Sequence, residues 1–298
     1  MRLPVRRLLA AATALPLAAT ALGACSGGGG GADTVTLVTH DSFVISKPVR
    51  RAFEASTGLK LRIVRSGDAG AALNQAILTA DHPLGDAFFG VDNTLLSRAL
   101  TSKVFARYTP EAARGIPAEF VIDPSHHVTS VDYGDVCVNY DRAYFADGEE
   151  RAIPQTLDDL AEPQFAKLLV VENPATSSTG LAFMLASIAR FGEAGWRDWW
   201  AKLRAGGVKV VDGWEQAYNT EFSGSAGKGA YPLVVSYATS PPAEVIYADP
   251  KPTTAPTGNL DQTCFRQIET VGVLRNAEHP AAARRLRSEE HTSELQSL

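Results

Sequence analysis

TVTLVTHDSFVISKPVRRAFEASTGLKLRIVRS, residues 34–66, is the stretch whose reading decides the fold. Its opening, TVTLVTH (34–40), alternates and is rich in β-branched residues, the pattern of a strand. KPVRRAFEASTG follows, with Val49 and Phe53 at helical spacing and Gly58 as a stop signal, which predicts a short helix. LKLRIVRS (59–66) is the next strand. The alternation continues downstream: AGAALNQAILTA (69–80) predicts a helix, GDAFFGVD (85–92) a strand and NTLLSRALTSKVF (93–105) a helix. Strands and helices in strict turn argue for a mostly parallel sheet with helices on its faces.

Beyond that point HHVTSVDYGDVCVNYD (126–141) reads as one long extended crossing. TLDDLAEPQFAKLLVVENP (156–174) is helix followed by strand. TSSTGLAFMLASIARFG (176–192) opens on capping residues and runs as a helix closed by Gly192, and AGWRDWWAKLRAGG (194–207) is another helix. VKVVDG, YPLVVSYATS and CFRQIETVGVLRN read as strands, and EHPAAARRL (278–286) begins a final helix. The segment 250–263, PKPTTAPTGNLDQT, reads as a return connection. The expected fold class is therefore α/β with two lobes: 34–130 with 262–286 as the first, and 131–261 with the hinge crossings as the second. A cleft between such lobes gathers strand ends and helix N-termini around a ligand.

The ends of the chain read differently. Arg2, Arg6 and Arg7 precede the apolar LLAAATALPLAATAL, which makes 1–24 a signal peptide. It closes on LGAC, which resembles the lipobox of bacterial lipoproteins, so Cys25 is the expected lipidation site. The Gly-rich 25–33 would be a tether from the outer face of the cytoplasmic membrane. No run of eighteen apolar residues occurs beyond the N-terminus, so no transmembrane helix is expected in the mature protein. Removal of the signal leaves Cys137 and Cys264 in an oxidising compartment, where they are expected to pair. The polar tail 287–298 contains RSEEHTSELQS, and a nucleotide string encoding it resembles a sequencing-library adapter. The tail is accordingly expected to be non-native, the chain truncated near Leu286, and Arg287–Leu298 poor in core contacts.

Composition narrows the function. With 298 residues, 45% hydrophobic and 20% charged, the chain is ordinary globular material for one large or two modest domains. A formal charge of −5 and the lack of a basic block after the first residues argue against nucleic acid. Neither a G-x-S-x-G elbow nor an H-E-x-x-H zinc motif occurs, so no enzyme and no catalytic residue are expected. His126 and His127 are adjacent, point opposite ways on a strand, and make a poor metal pair. FSGSAGKGA (222–230) lacks phosphate-loop spacing and reads as a surface loop. No cofactor and no metal are expected.

The candidate binding residues lie at predicted strand ends. THDSF supplies Asp41 and Ser42, GVDN supplies Asp92 and Asn93, DGWEQAY supplies Trp214 and Tyr218, and SYATSPP supplies Tyr237 and Ser240. Singly, an Asp there reads as a helix cap and a Trp as core. Together they fall where cleft residues fall. In NPATSSTGLAF, Ser178 and Thr179 stand before a helix, where hydroxyls and free N–H groups form an anion site or simply cap.

Taken in order, VTLVTHDSF, GDAFFGVDNTLL, VDYGDVCVNYD, NPATSSTGLAFML, VDGWEQAY and LVVSYATSPPAEV resemble the thiamine-binding receptors of bacterial ABC importers, relatives of the iron- and spermidine-binding receptors. The resemblance covers about residues 33–286. It implies a two-lobed periplasmic-binding-protein fold of type II, hinged between its lobes; with the lipobox at Cys25, a lipid-anchored extracytoplasmic monomer is expected. Such a receptor hands thiamine or thiamine phosphates to ABC permease subunits. It also implies that Trp214 and Tyr237 line the pocket with Tyr218 beside them. Asp41 and Asp92 would balance the cation or hold the amino group, and Ser178 and Thr179 would receive a phosphate. This sequence departs from the pattern at His40, where family members carry Tyr, and it has no match for the part that follows the last helix in the family. An iron(III) receptor is the alternative, though VVSYATSP offers one tyrosine where a neighbouring pair is normal. A secreted hydrolase is a more distant one.

Overall fold

A computed structural model describes residues 34–146, 152–224 and 228–289. The predicted signal peptide, Cys25 and the tether lie outside these residues, as do 225–227 of the loop expected at 222–230 and 290–298 of the tail. Three βα units open the chain. They are β1 (Thr34–Thr39) and α1 (Lys47–Thr57), β2 (Lys60–Arg65) and α2 (Ala69–Leu78), and β3 (Ala87–Asp92) and α3 (Leu96–Thr101). α1 is capped by the Ser46 hydroxyl and ends at Gly58 with φ 71°, the left-handed stop that its sequence announces. A short β4 (Phe105–Ala106) takes the end of the run expected to be helical.

β5 (Val128–Asp141) is the long crossing. Two short helices, α4 (Leu157–Leu160) and α5 (Pro163–Ala166), lead into β6 (Leu169–Glu172). The Ser178–Ala205 run, α6, is two helices meeting at Gly192, whose φ of 68° and ψ of 176° break the spiral as expected. β7 (Lys209–Val211), a one-turn α7 (Trp214–Gln216), β8 (Leu233–Tyr237) and α8 (Ser240–Tyr247) complete the second half. β9 (Thr257–Leu274) and α9 (Pro280–Glu289) return to the first.

The strands form one mixed nine-stranded sheet in the order β2-β1-β3-β9-β5-β8-β6-β7, with β4 paired to β9. β1, β2 and β3 are parallel in one half, and β6, β7 and β8 in the other. The expectation of a mostly parallel sheet holds within each half and fails between them. There β5 and β9 run antiparallel to each other over most of their length. β9 also corrects the reading of 250–263 as a connection only, since from Thr257 onward it is strand. Its Gly, Asn, Asp and Gln residues look like a loop, but pairing with β5 supplies the ladder that their propensities do not. Where Val136 pairs with Phe265 and Val138 with Leu260, the register shifts, and the Cys137–Cys264 disulfide closes that bulge.

Separate apolar cores pack the halves. One gathers Phe183, Trp199, Leu203 and Leu233 around α6 and β8. Others gather Phe88 and Leu73 under α2, and Phe53, Phe89 and Leu286 under α1 and α9. The last helix corrects the expectation for the tail at its first residues. Arg287 is fully buried, donates to Thr129 Oγ1 and to the His127 carbonyl, and lies over the Tyr108 ring, while Ser288 Oγ meets Tyr108 OH at 2.7 Å. Arg287 stands four residues, about one turn, after the buried Ala283, so the helix carries it over the same sheet face, and a guanidinium there finds acceptors. Among the described residues no helix is long and apolar enough to cross a membrane.

Candidate functional site

Strand register assembles the site. Asp92, the last residue of β3, pairs with Glu269 of β9, which pairs with Asp132 of β5. On the other half β6 ends at Glu172 and β8 at Tyr237. The two sets meet where the start of α2 touches the starts of α6 and α7. Ala71 N donates to Thr176 O at 2.8 Å, and a Cβ on Gly70 would sit 2.7 Å from that carbonyl.

Asp68 is the joint, and the sequence reading missed it. It caps α2 through Ala69 N at 2.6 Å, accepts from Ser178 N at 3.3 Å, and accepts from Trp214 N at 2.9 Å. One carboxylate thus holds the starts of three helices, where free N–H groups favour negative charge. Burial nevertheless pushes its pKa up, against the pull of the Trp214 N–H and the Ser177 hydroxyl.

The aromatic residues are brought together as expected. Trp214 stacks on Tyr218 at 5.0 Å and 13°, and faces Tyr237 at 5.8 Å and 53°. Its indole N–H donates to Ser236 Oγ at 2.8 Å, and Ser236 meets Ser240 Oγ at 3.0 Å, so Ser240 supports Trp214 from behind. Tyr218 is buried, covered by Phe222 on its far side, with its hydroxyl on Glu244. Burial and the neighbouring Glu244 keep that phenol protonated. Tyr218 therefore backs the Trp214 ring.

Burial first, then the nearby carboxyl groups of the largely buried Glu269 and of the buried Asp68, Asp92 and Glu172, push the Tyr237 phenol well up. Asp92 is fully buried, accepts from Thr94 and Leu95, and accepts from Gln267 Nε2 at 2.8 Å. Burial raises its pKa. Gln267 Nε2 also reaches Ser178 Oγ at 3.3 Å, tying Asp92 to the start of α6. Glu269 lies 3.6 Å from His40 Nε2. Burial, then Asp132, Asp92 and Asp68, push Glu269 well above the ordinary carboxylate range. Among the described residues no lysine or arginine is ion-paired with any of the four.

The other expected residues fall around this cluster with different tasks. Asn93 spends both ends of its amide on β9, donating to Arg266 O and accepting from Ile268 N. Ser42 Oγ meets His40 Nδ1 at 2.8 Å, and Asp41 is held through its backbone N–H on Gly67 O. His40 is packed among Phe43, Phe89 and Gly90, and a Cβ on Gly90 would lie 2.7 Å from its ring. Ser178 and Thr179 are buried. Ser177 Oγ caps Gly180 N and meets Thr179 Oγ1, and Asp68 takes Ser178 N. The anion slot expected at α6 is therefore filled by the protein's own carboxylate in this arrangement. Two small apolar hollows lie elsewhere, one beside Phe43 and Leu286 and one beside Ala76 and Leu84. Among the described residues no three His, Cys, Asp or Glu side chains gather to hold a metal.

Two α/β halves on crossing strands, with aromatic and acidic groups meeting between them, have the architecture of a solute-binding protein. The chain belongs to the bacterial extracellular solute-binding proteins, whose family profile matches residues 83–245, more than half of its length. That is a family of transport receptors. The chain is 33% identical over 218 residues to the thiamine-binding periplasmic protein of Brucella suis biovar 1 (strain 1330), an alignment covering 70% of this chain and 60% of that one. The chain thus spans 60% of that relative's length. It is 28% identical over 257 residues to the Salmonella typhimurium (strain LT2) thiamine-binding periplasmic protein, covering 84% of this chain and 73% of that one. In fold it matches a periplasmic thiamin binding protein with a TM-score of 0.73 and 26% identity, covering 88% and 79% of the two chains. Iron-bound HitA from Pseudomonas aeruginosa shares the fold at a TM-score of 0.66 and 16% identity, covering 86% and 80%.

Proposed function

We propose that this protein is an extracytoplasmic receptor that captures thiamine between its two halves and delivers it to an ABC importer. The observation that carries this reading is the Trp214–Tyr237 aromatic pair set among four largely buried carboxyl groups, none of which is ion-paired with a described lysine or arginine. A flat ligand with a fixed positive charge supplies what that arrangement lacks, since ring faces and carboxylates both attract a cation. The thiazolium of thiamine is such a group, and its aminopyrimidine offers donors to carboxylates. The relatives named for thiamine binding support the same choice.

In this reading 34–130 with 262–286 forms one lobe and 131–261 the other, and β5 and β9 are the hinge. Trp214 and Tyr237 contact the ligand, Asp92 and Asp41 balance its charge, and Tyr218, Ser240 and Asn93 hold the walls. A thiamine phosphate would compete with Asp68 for the N–H groups at α6, so the esters bind when Asp68 withdraws. The receptor acts as a monomer held to the outer face of the cytoplasmic membrane through lipid on Cys25. Calorimetry of the full chain against thiamine, thiamine monophosphate and Fe(III) tests the assignment. Binding of thiamine at micromolar concentration or tighter is expected. Silence with thiamine and heat with Fe(III) would transfer the protein to the iron receptors.

A further inference from the structure

Glu172 ends β6 fully buried, and neither of its carboxyl oxygens meets a donor in hydrogen-bonding geometry. A charged carboxylate in that position is strongly disfavoured. The elements packed on it bring no compensating charge. The start of α2 presents Asp68, and the end of β8 presents Tyr237. The start of α6 presents Thr179, whose hydroxyl lies beside it without satisfying it. On β7 its register partner is Val211, and Lys209 on that strand is turned to Glu221 at 3.8 Å. Asp92 of β3 and Glu269 of β9 add their charges around Tyr237, and His40 faces Glu269. Strand β6 itself adds only Leu169, Val170 and Val171.

We propose that Glu172 carries a proton in the unliganded receptor and releases it when a cationic ligand enters beside Tyr237, making capture proton-coupled and selective for a permanently charged ring. The proposal rests on reading this cluster as the ligand site. In the step, the Glu172 O–H bond breaks, the proton leaves to solvent, and the remaining carboxylate is offset by the fixed charge of the ligand. No electron moves. Protons and ligand then compete for one negative charge. Affinity therefore strengthens as pH rises, approaching tenfold per pH unit while Glu172 is mostly protonated. A neutral analogue of the same shape gains nothing from the exchange.

Calorimetry of the full chain with thiamine in two buffers of different ionisation enthalpy counts the protons. The native protein is expected to release on the order of one proton per ligand near neutral pH. Glu172→Gln keeps the shape of the side chain, and is expected to bind thiamine while releasing fewer protons and with a shallower pH dependence. Equal proton release and equal pH dependence in the two proteins would overturn the proposal. Failure of both proteins to bind thiamine would sink the functional reading, and the proton is then tested without ligand. The infrared absorption of protonated carboxyl groups is expected in the native protein at neutral pH and weaker in Glu172→Gln, since Glu269 keeps its own share, and equal absorption in the two proteins overturns the proposal. A native spectrum without such absorption also refutes it.

Discussion

Trp214 is fixed at three points: its backbone N–H on Asp68, its indole N–H on Ser236, and one ring face on Tyr218. A ring so held offers its remaining surface with little conformational entropy left to lose. Trp214→Ala is expected to weaken thiamine binding by about 1–3 kcal/mol, the range for loss of a stacking ring. Trp214→Phe, which keeps the stack and loses the Ser236 bond, should fall between. Equal affinities by calorimetry would make Trp214 a wall of the core. His40 lends itself to a pH experiment. Burial first, then Arg65, lowers its pKa to about 4. An unfolded histidine takes up a proton near its ordinary pKa of about 6.5, while the folded one stays neutral. Folding stability is therefore lost as pH falls from that value towards the folded pKa, by up to roughly 3 kcal/mol. In His40→Phe this acid limb should flatten in urea titrations at a series of pH values, and an unaltered limb would assign it to other groups. The aromatics at the ends of predicted strands were legible in the sequence because strand ends converge in this architecture. Asp68 was not. An aspartate before a helix reads as a cap, and Asp68 is one, so nothing local shows that it also holds two other helices. Glu172 and Glu269 hid in strands, where only pairing across distant segments reveals that they share a space.

Among the elements, α6 shows local chemistry winning. Gly192 was readable as a stop because the apolar pattern breaks there, and the chain does turn at φ 68° and ψ 176°. That conformation is essentially restricted to glycine, and a Cβ on Gly192 would meet no neighbour within 4 Å, so the cost of a side chain is backbone strain alone. Gly192→Ala is expected to lower unfolding stability by about 1–3 kcal/mol, read from the urea midpoint at unchanged slope. A shift near zero would mean that the two helices adjust their joint freely. β9 shows the opposite case. Thr257–Thr263 has loop composition and is strand only because β5 lies beside it. Such an element is invisible to any window of local sequence, since its hydrogen-bond partners are over a hundred residues away. Arg287 follows the same logic: a polar run promises exposure, but helical periodicity carries this guanidinium onto Thr129.

At the scale of the molecule, two antiparallel strands carry the whole connection between the parallel halves of the sheet. In the proposed receptor, motion between the halves would bend β5 and β9, and the natural place to bend is the bulge where pairing shifts around Val136 and Val138. The Cys137–Cys264 disulfide sits in that bulge and joins residues 127 apart in sequence. It links the two strands at the point where their hydrogen-bond ladder is interrupted. Replacing both cysteines with serine is expected to cost about 2–4 kcal/mol of stability, because the unfolded chain regains a long loop's freedom. Thiamine affinity should change far less, since the ladder on either side of the bulge still aligns the halves. Urea unfolding and calorimetry on the same double variant separate the two effects. A large loss of stability with affinity kept would make the bridge a brace for the connection. Affinity lost in step with stability would instead show that the bulge geometry itself sets how Tyr237, at the end of β8, meets Glu269 on β9, and that the disulfide is part of how the receptor closes.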